Sequence, residues 1–365
     1  WSRVHSNHYI ICGKNFKINS EIIERDFTVE SKQRNFENGN ENESQKRQIK
    51  SDVNRISAAI IINTLIMIAV VVIGMVMRIF VAVRQSNASD IMTAFDEIIG
   101  SNAFFENATK SGVEYLLFSV LGILAVWLFL RKKATFAQLF EKNRSMNTNS
   151  FFKCVVILMG IQLPIVLADM AIEAGLNQFG YTAAGGIEMA SSASPTVTMF
   201  LYGSLVGPIV EELIYRGFVM HSLKKYGKSF AIVVSSVFFG IMHQNLVQSV
   251  FGIIAGLVLG YVAMKYSMKW AIILHIINNC VFGDLLSFAI KGFSESVQNW
   301  ILLGIVLIFF VLAVIVLIQE RKQVKKEIGF CLENKRYYKY AFTSVLFLLF
   351  FIASSIMSLQ VIDKM

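Results

Sequence analysis

The chain has 365 residues, 55% of them hydrophobic and 16% charged, with three prolines, a net charge of +9 and a mean hydropathy of +0.56. Long apolar runs recur from Ile56 onward, which excludes a soluble globular domain and points to a polytopic membrane protein. The positive charge is not a nucleic-acid footprint, because most of the excess sits in short connections beside apolar runs, where it sets topology. The four cysteines, Cys12, Cys154, Cys280 and Cys331, show no paired spacing and argue for neither a disulfide framework nor a zinc ribbon.

The chain begins at Trp1, which reads as a fragment or an imperfectly assigned reading frame. Residues 1–55 hold ten Lys/Arg and eight Asp/Glu, with stretches such as NFENGNENESQ, and read as a soluble, disordered tail. No cleavable signal peptide is expected, since the first apolar run starts near Ile56 and is too long for one. Apolar spans follow at about 56–83, 113–130, 152–172, 196–215, 230–246, 248–264, 270–290, 299–318 and 341–361. The expected fold is an all-α, polytopic transmembrane bundle of about eight or nine helices. The spans at 230–246 and 248–264 are separated only around Asn245, so a tight helical hairpin or a partly re-entrant pair is expected there. Gly252, Gly256 and Gly260 form a small-residue stripe that predicts close helix packing.

Basic clusters precede the first span (KRQIKSDVNR) and follow the second (RKKATFAQLFEKNR), fourth (SLKKYGK), sixth (Lys265 to Lys269) and eighth (ERKQVKKE). By contrast, 85–112 holds one lysine and 173–194 none. If all nine spans cross, every basic connection falls on one side, which predicts a multi-pass cell-membrane protein with a cytoplasmic N-terminus.

Strong polar groups enter the spans at four places: Glu211-Glu212 with Arg216, His243, His275 with Asn279, and Asp169. A charge near the bilayer centre costs about 2.5–3.5 kcal/mol on insertion scales. Glu212 and Arg216 are i,i+4 and share a helix face, as do Phe239 and His243, and His275 and Asn279. Glu211 is rotated about 100° from Glu212, so one glutamate can be neutralised by the arginine while the other faces a different partner. Counting back to the basic connections places Glu211 about 20 Å and His243 about 22 Å deep, but His275 only about 9 Å. His275 then needs tilt, or a helix that begins deeper, to join them.

Each element has a bland counterpart: a Glu–Arg pair at this spacing is often only a structural ion pair, and an isolated membrane histidine is more often a packing residue. Asp169 lies near a span end and can reach water, and His5, His8 and His221 are assigned nothing. The coincidence within Glu211–Asn279 favours chemistry, of a kind suited to water activation. A carboxylate in a low-dielectric cavity can act as a general base, with imidazole and amide donors stabilising an oxyanion. Alternatively two histidines and a carboxylate can hold zinc with one open position. No GxSxG, HExxH or phosphate loop is present.

EELIYR (211–216), FGIMH (239–243) and HIINN (275–279) together resemble the EExxxR, FxxxH and HxxxN motifs of the CPBP family, the CAAX protease and bacteriocin-processing enzymes also called Abi proteins. The resemblance covers about residues 195–285. It implies a catalytic core over 195–290, between N-terminal spans at 56–190 and C-terminal spans at 291–365, and an intramembrane endopeptidase acting on peptide or membrane-protein substrates. Carried over by position, Glu211 resembles the base that activates water, with His243 its partner. His275 and Asn279 resemble the oxyanion-stabilising pair, and Glu212 and Arg216 resemble supports. A metal reading of the family would use Glu211, His243 and His275. The composition looks bacterial, where prenylated CAAX substrates are not expected; peptide maturation, bacteriocin immunity and anti-sigma-factor cleavage are the roles family membership implies. A non-catalytic immunity or scaffold protein and a transporter are the competing readings, although no inverted repeat supports the latter.

Overall fold

The computed structural model describes residues 5–365 apart from 89, 133–135, 186–192, 334 and 361, and describes side chains from residue 42 onward, those of 136, 137 and 333 excepted. Cys12, His5 and His8 thus fall outside the described side chains. The chain divides into two units, residues 1–51 and 52–365. Helix α1 (His5–Gln85) supplies the first unit, where the sequence predicts an irregular tail, and opens the second. Lys, Arg, Glu and Gln are all good helix formers, and a polar helix needs no apolar face when it is solvated.

The apolar helices that follow are α2 (Val113–Leu130), α3 (Thr148–Asn177), α4 (Val197–Tyr226), α5 (Lys228–Ile241), α6 (Leu246–Lys265), α7 (Met268–Ile290), α8 (Glu295–Gln319) and the bent pair α9 (Lys335–Phe342 with Val345–Leu359). Every expected span is a helix. Among the described residues seven, with α1 contributing Asn42–Gln85, are long and apolar enough to cross a bilayer, and α9 makes eight despite its 68° bend. The exception is α5, whose 14 residues rise only about 21 Å. The protein is an all-α, multi-pass membrane bundle.

Helix α5 is apolar all round, and most of its residues from Phe230 to Ile241 are buried, as a helix enclosed by protein should be. Phe238 packs between the rings of Phe347 and Phe350 on α9, with centroids 5.2 and 5.8 Å away. On the opposite side the glycine stripe of α6 meets a matching stripe on α5. A Cβ on Gly252 would lie 3.0 Å from Gly240 Cα, one on Gly256 3.0 Å from Ser236 Cβ, and one on Gly260 3.1 Å from Ile232 Cγ2. Ile232, Ser236 and Gly240 are themselves four residues apart, so the small Ser236 and Gly240 bring the backbones together near the hairpin while Ile232 packs onto Gly260 further along. The helices join through a tight turn in which Gln244 adopts φ 53° and Asn245 caps α6, its Oδ1 accepting from the backbone N–H groups of Val247 and Gln248. This is the hairpin the sequence predicts.

A two-stranded antiparallel ribbon pairs Tyr181–Thr182 with Asp363–Lys364. It joins the connection after α3 to the end of the chain.

Replacing Gly256 by Leu is expected to force α5 and α6 apart at a cost of about 1–3 kcal/mol, read as a lower melting temperature in detergent. The same change at Gly304 of α8, where an added Cβ meets nothing within 4 Å, is expected to leave melting unchanged.

Candidate active site

The site starts from the backbone of α4. Pro208 carries no N–H, and just before it residues Leu201–Val206 widen into a π-helical turn in which the N–H of Gly207 donates to Tyr202 O. The carbonyl of Gly203 is therefore left without its usual helical donor, since Gly207 is engaged one residue back and the next residue is Pro208. Nδ2 of Asn279 on α7 donates to that carbonyl at 3.0 Å. Asn279 itself lies in a second π-helical stretch, Ile277–Leu285, and a third, Leu213–Val219, follows the glutamates. All three widened segments flank the polar groups of the site.

Glu211 and Glu212 occupy the regular turn between these stretches and separate as their rotation requires. Glu212 is fully buried and has two partners: His275 Nδ1 at 3.1 Å from Oε1, and Arg216 Nε at 3.3 Å from Oε2. A carboxylate can only accept, so Nδ1–H of His275 is the donor. His275 then turns Nε2 to Oε2 of Glu211, 3.6 Å away, and the Glu211 side chain retains 20% exposure. The adjacent glutamates thus bracket one imidazole, one at each nitrogen. The i,i+4 rule gives the Glu212–Arg216 pair but not the second bond of Glu212, which crosses to another helix.

Phe239 is the hub of this arrangement. Arg216 Cζ lies 4.3 Å from its ring centroid, a cation–π contact that helps compensate a buried guanidinium. The rings of Tyr215, His243 and His275 meet Phe239 at 5.4, 5.1 and 5.7 Å. His243 stands at the tip of the α5–α6 hairpin, with its Nδ1 2.9 Å from the carbonyl of Phe239. The carbonyl must accept, so Nδ1 of His243 carries a proton. Both imidazoles are thus anchored through Nδ1–H.

The depth discrepancy of His275 has a simple origin. A Cβ on Gly217 would lie 3.5 Å from Sδ of Met268, so α7 begins beside Gly217 rather than at the level of Lys224. Six residues then separate Gly217 from Glu211, and six separate Lys269 from His275.

A cavity of about 1200 Å³ is lined by Glu211, His243, His275 and Asn279 together. Arg216 and Glu212 lie behind its wall. Asp169 lines the same cavity. Four further residues escaped the sequence reading. Tyr202 and Tyr215 border Glu211 on α4. Asn278 donates to Asn279 Oδ1 at 2.9 Å. Asp284, buried on α7, accepts from the N–H and Oγ of Ser194 and from Oγ of Ser204, clipping the segment before α4 to α7. Asp284 had a visible signal, a carboxylate in the apolar run VFGDLL. Tyr215 had one too, at i+4 from Glu211. Among the described residues no three His, Cys, Asp or Glu side chains converge closely enough to hold a metal ion.

Residues 193–281, from just before α4 to within α7, match the family described as "Type II CAAX prenyl endopeptidase Rce1-like". A curated protein of Bacillus subtilis (strain 168), named "Putative membrane peptidase YdiL", is 32% identical over 105 residues, 28% of this chain and 40% of that protein. The chain thus aligns with well under half the length of that relative. No solved structure matches. The matched segment carries all three motifs, and over it the chain is similar to the CAAX prenyl endopeptidase family.

Proposed function

We propose that the protein is an intramembrane endopeptidase that hydrolyses peptide bonds of membrane-associated or peptide substrates with Glu211 as general base. One observation carries this reading: Glu211 and His275 meet at 3.6 Å on the wall of a cavity that also holds His243 and Asn279. Water in that cavity gives a proton to Glu211 while its oxygen attacks the carbonyl carbon of the scissile bond. The carbonyl π electrons pass to oxygen, forming a tetrahedral oxyanion. Collapse of that oxyanion breaks the C–N bond, and the proton held by the carboxyl group passes to the leaving nitrogen, giving an acid and an amine. The Nε2 atoms of His243 and His275 support the carboxylate by accepting a proton in turn. Glu212 fixes the tautomer of His275, in the way that a buried acid orients a catalytic imidazole elsewhere. No step passes through a metal ion.

The glutamates are expected to differ under substitution. Glu211→Gln removes the base from a partly exposed position and is expected to abolish cleavage in proteoliposomes without lowering the melting temperature. Cleavage at the wild-type rate by this variant would sink the assignment. Glu212→Gln strips a fully buried arginine of its counter-charge, a loss of about 3–5 kcal/mol for a buried pair. Both activity and melting temperature are expected to fall. A Glu212→Gln protein that melts like wild type would show that Arg216 is compensated elsewhere.

An N-terminus in the cytoplasm is supported by the basic connections and by the ribbon of residues 181–182 and 363–364, which joins the lysine-free 173–194 connection to the C-terminus, both expected outside. Alkaline phosphatase fused after Met365 is expected to be active, and an inactive fusion would reverse the orientation.

A further inference from the structure

We infer that Asp169 recognises a lysine or arginine side chain of the bound peptide, about three residues from the bond presented to Glu211. The inference rests on the proposed reading of the cavity as the peptide site. It begins with a count of charge. The described residues lining the cavity include four carboxylates, those of Asp169, Glu173, Glu211 and Asp284, and no lysine or arginine. A concave surface lined by one sign of charge focuses its field and draws in the opposite sign. A peptide carrying a cation is therefore favoured over one carrying an acid.

The four carboxylates are not equivalent. Glu173 accepts from Oγ1 of Thr182 and from the N–H of Ala183, and so holds the connection after α3. Asp284 accepts from Ser194 and Ser204. Glu211 faces Nε2 of His275. Of the four, Asp169 alone makes neither a hydrogen bond nor an ion pair with any described residue. It sits part-buried in the apolar run VLADMA, where an unpaired charge is costly. A cation arriving with the peptide offsets that cost.

Position along α3 sets the reach. Gln162 Nε2 lies 3.5 Å from Oδ1 of Asn278, which donates in turn to Asn279, so Gln162 marks the level of the asparagine pair. Gln162 and Asp169 both line the cavity. Seven residues separate them, two turns on one face and about 10.5 Å along the axis. An extended peptide running beside α3 advances about 3.3 Å per residue, which brings its third residue from the scissile bond level with Asp169.

Fluorophore-labelled alanine–leucine peptides that differ at one position, lysine or glutamate, test the inference in phosphatidylcholine nanodiscs, whose surface carries no net charge. On the Glu211→Gln protein the lysine peptide is expected to bind about 10-fold more tightly than its glutamate twin, the scale of a hydrogen bond to a charged group. Adding Asp169→Asn is expected to bring that ratio close to 1, Asp169→Lys to invert it, and Asp169→Glu to preserve it. Equal or absent binding of the two peptides overturns the inference, as does a ratio that survives Asp169→Asn. A ratio lost in Asp169→Glu as well would mark a structural role and overturn it too. With Glu211 present, kcat/KM is expected to peak when the lysine stands about three residues from the cut bond. Glu211-dependent cleavage indifferent to the lysine overturns the inference and leaves the hydrolytic reading standing. Binding that follows Asp169 as described, with neither peptide cut, sinks the hydrolytic reading and upholds the recognition.

Discussion

The arrangement depends on one buried carboxylate. Glu212 has no exposed surface and lies against a cationic guanidinium on one side and an imidazole on the other. A lone carboxylate in a dry interior would be driven to its neutral form. Here the Arg216 charge and the Nδ1–H of His275 keep acceptance by Glu212 worthwhile, and the same contacts tie α4 to α7. Arg216 in turn rests on Phe239, which extends the network to α5 and to His243 at the hairpin tip. Three helices are registered on each other through one acid, one base and one ring. The neighbouring Glu211 keeps its face to the cavity, while Glu212 holds the helices together.

Much of this was legible in the chain, for reasons that are local. Residues four apart on one helix share a face, so the Glu212–Arg216, Phe239–His243 and His275–Asn279 relations follow from spacing alone. The glycines of α6 announced a close packing partner, and α5 supplies it with Ile232, Ser236 and Gly240. What was not legible crosses between helices or changes the backbone. The bond from Glu212 to His275 spans 63 positions. The freed carbonyl of Gly203 arises only because a π-helical turn and Pro208 deprive it of a donor together. Depth arithmetic misplaced His275 because it took two basic connections to be level, whereas α7 starts beside Gly217.

Irregular backbone is concentrated where the cavity is. The π-helical stretches, the left-handed Gln244 and the Asn245 cap all border it or its walls. Lipid offers no hydrogen bonds, so departures from helix within a membrane protein survive only beside protein or water. The side chains of Asn279 and Asn245 satisfy the backbone groups that the irregularities release. The geometry of the site is thus sustained by the site's own side chains.

The short helix α5 couples this chemistry to the bilayer itself. A rise of about 21 Å falls some 9 Å short of a hydrocarbon core about 30 Å thick. His243 and the cavity it lines stand at the hairpin tip, just beyond the end of α5. Bilayer thickness then bears on the cavity itself: a thinner membrane better matches the reach of α5, and a thicker one makes the surrounding helices tilt.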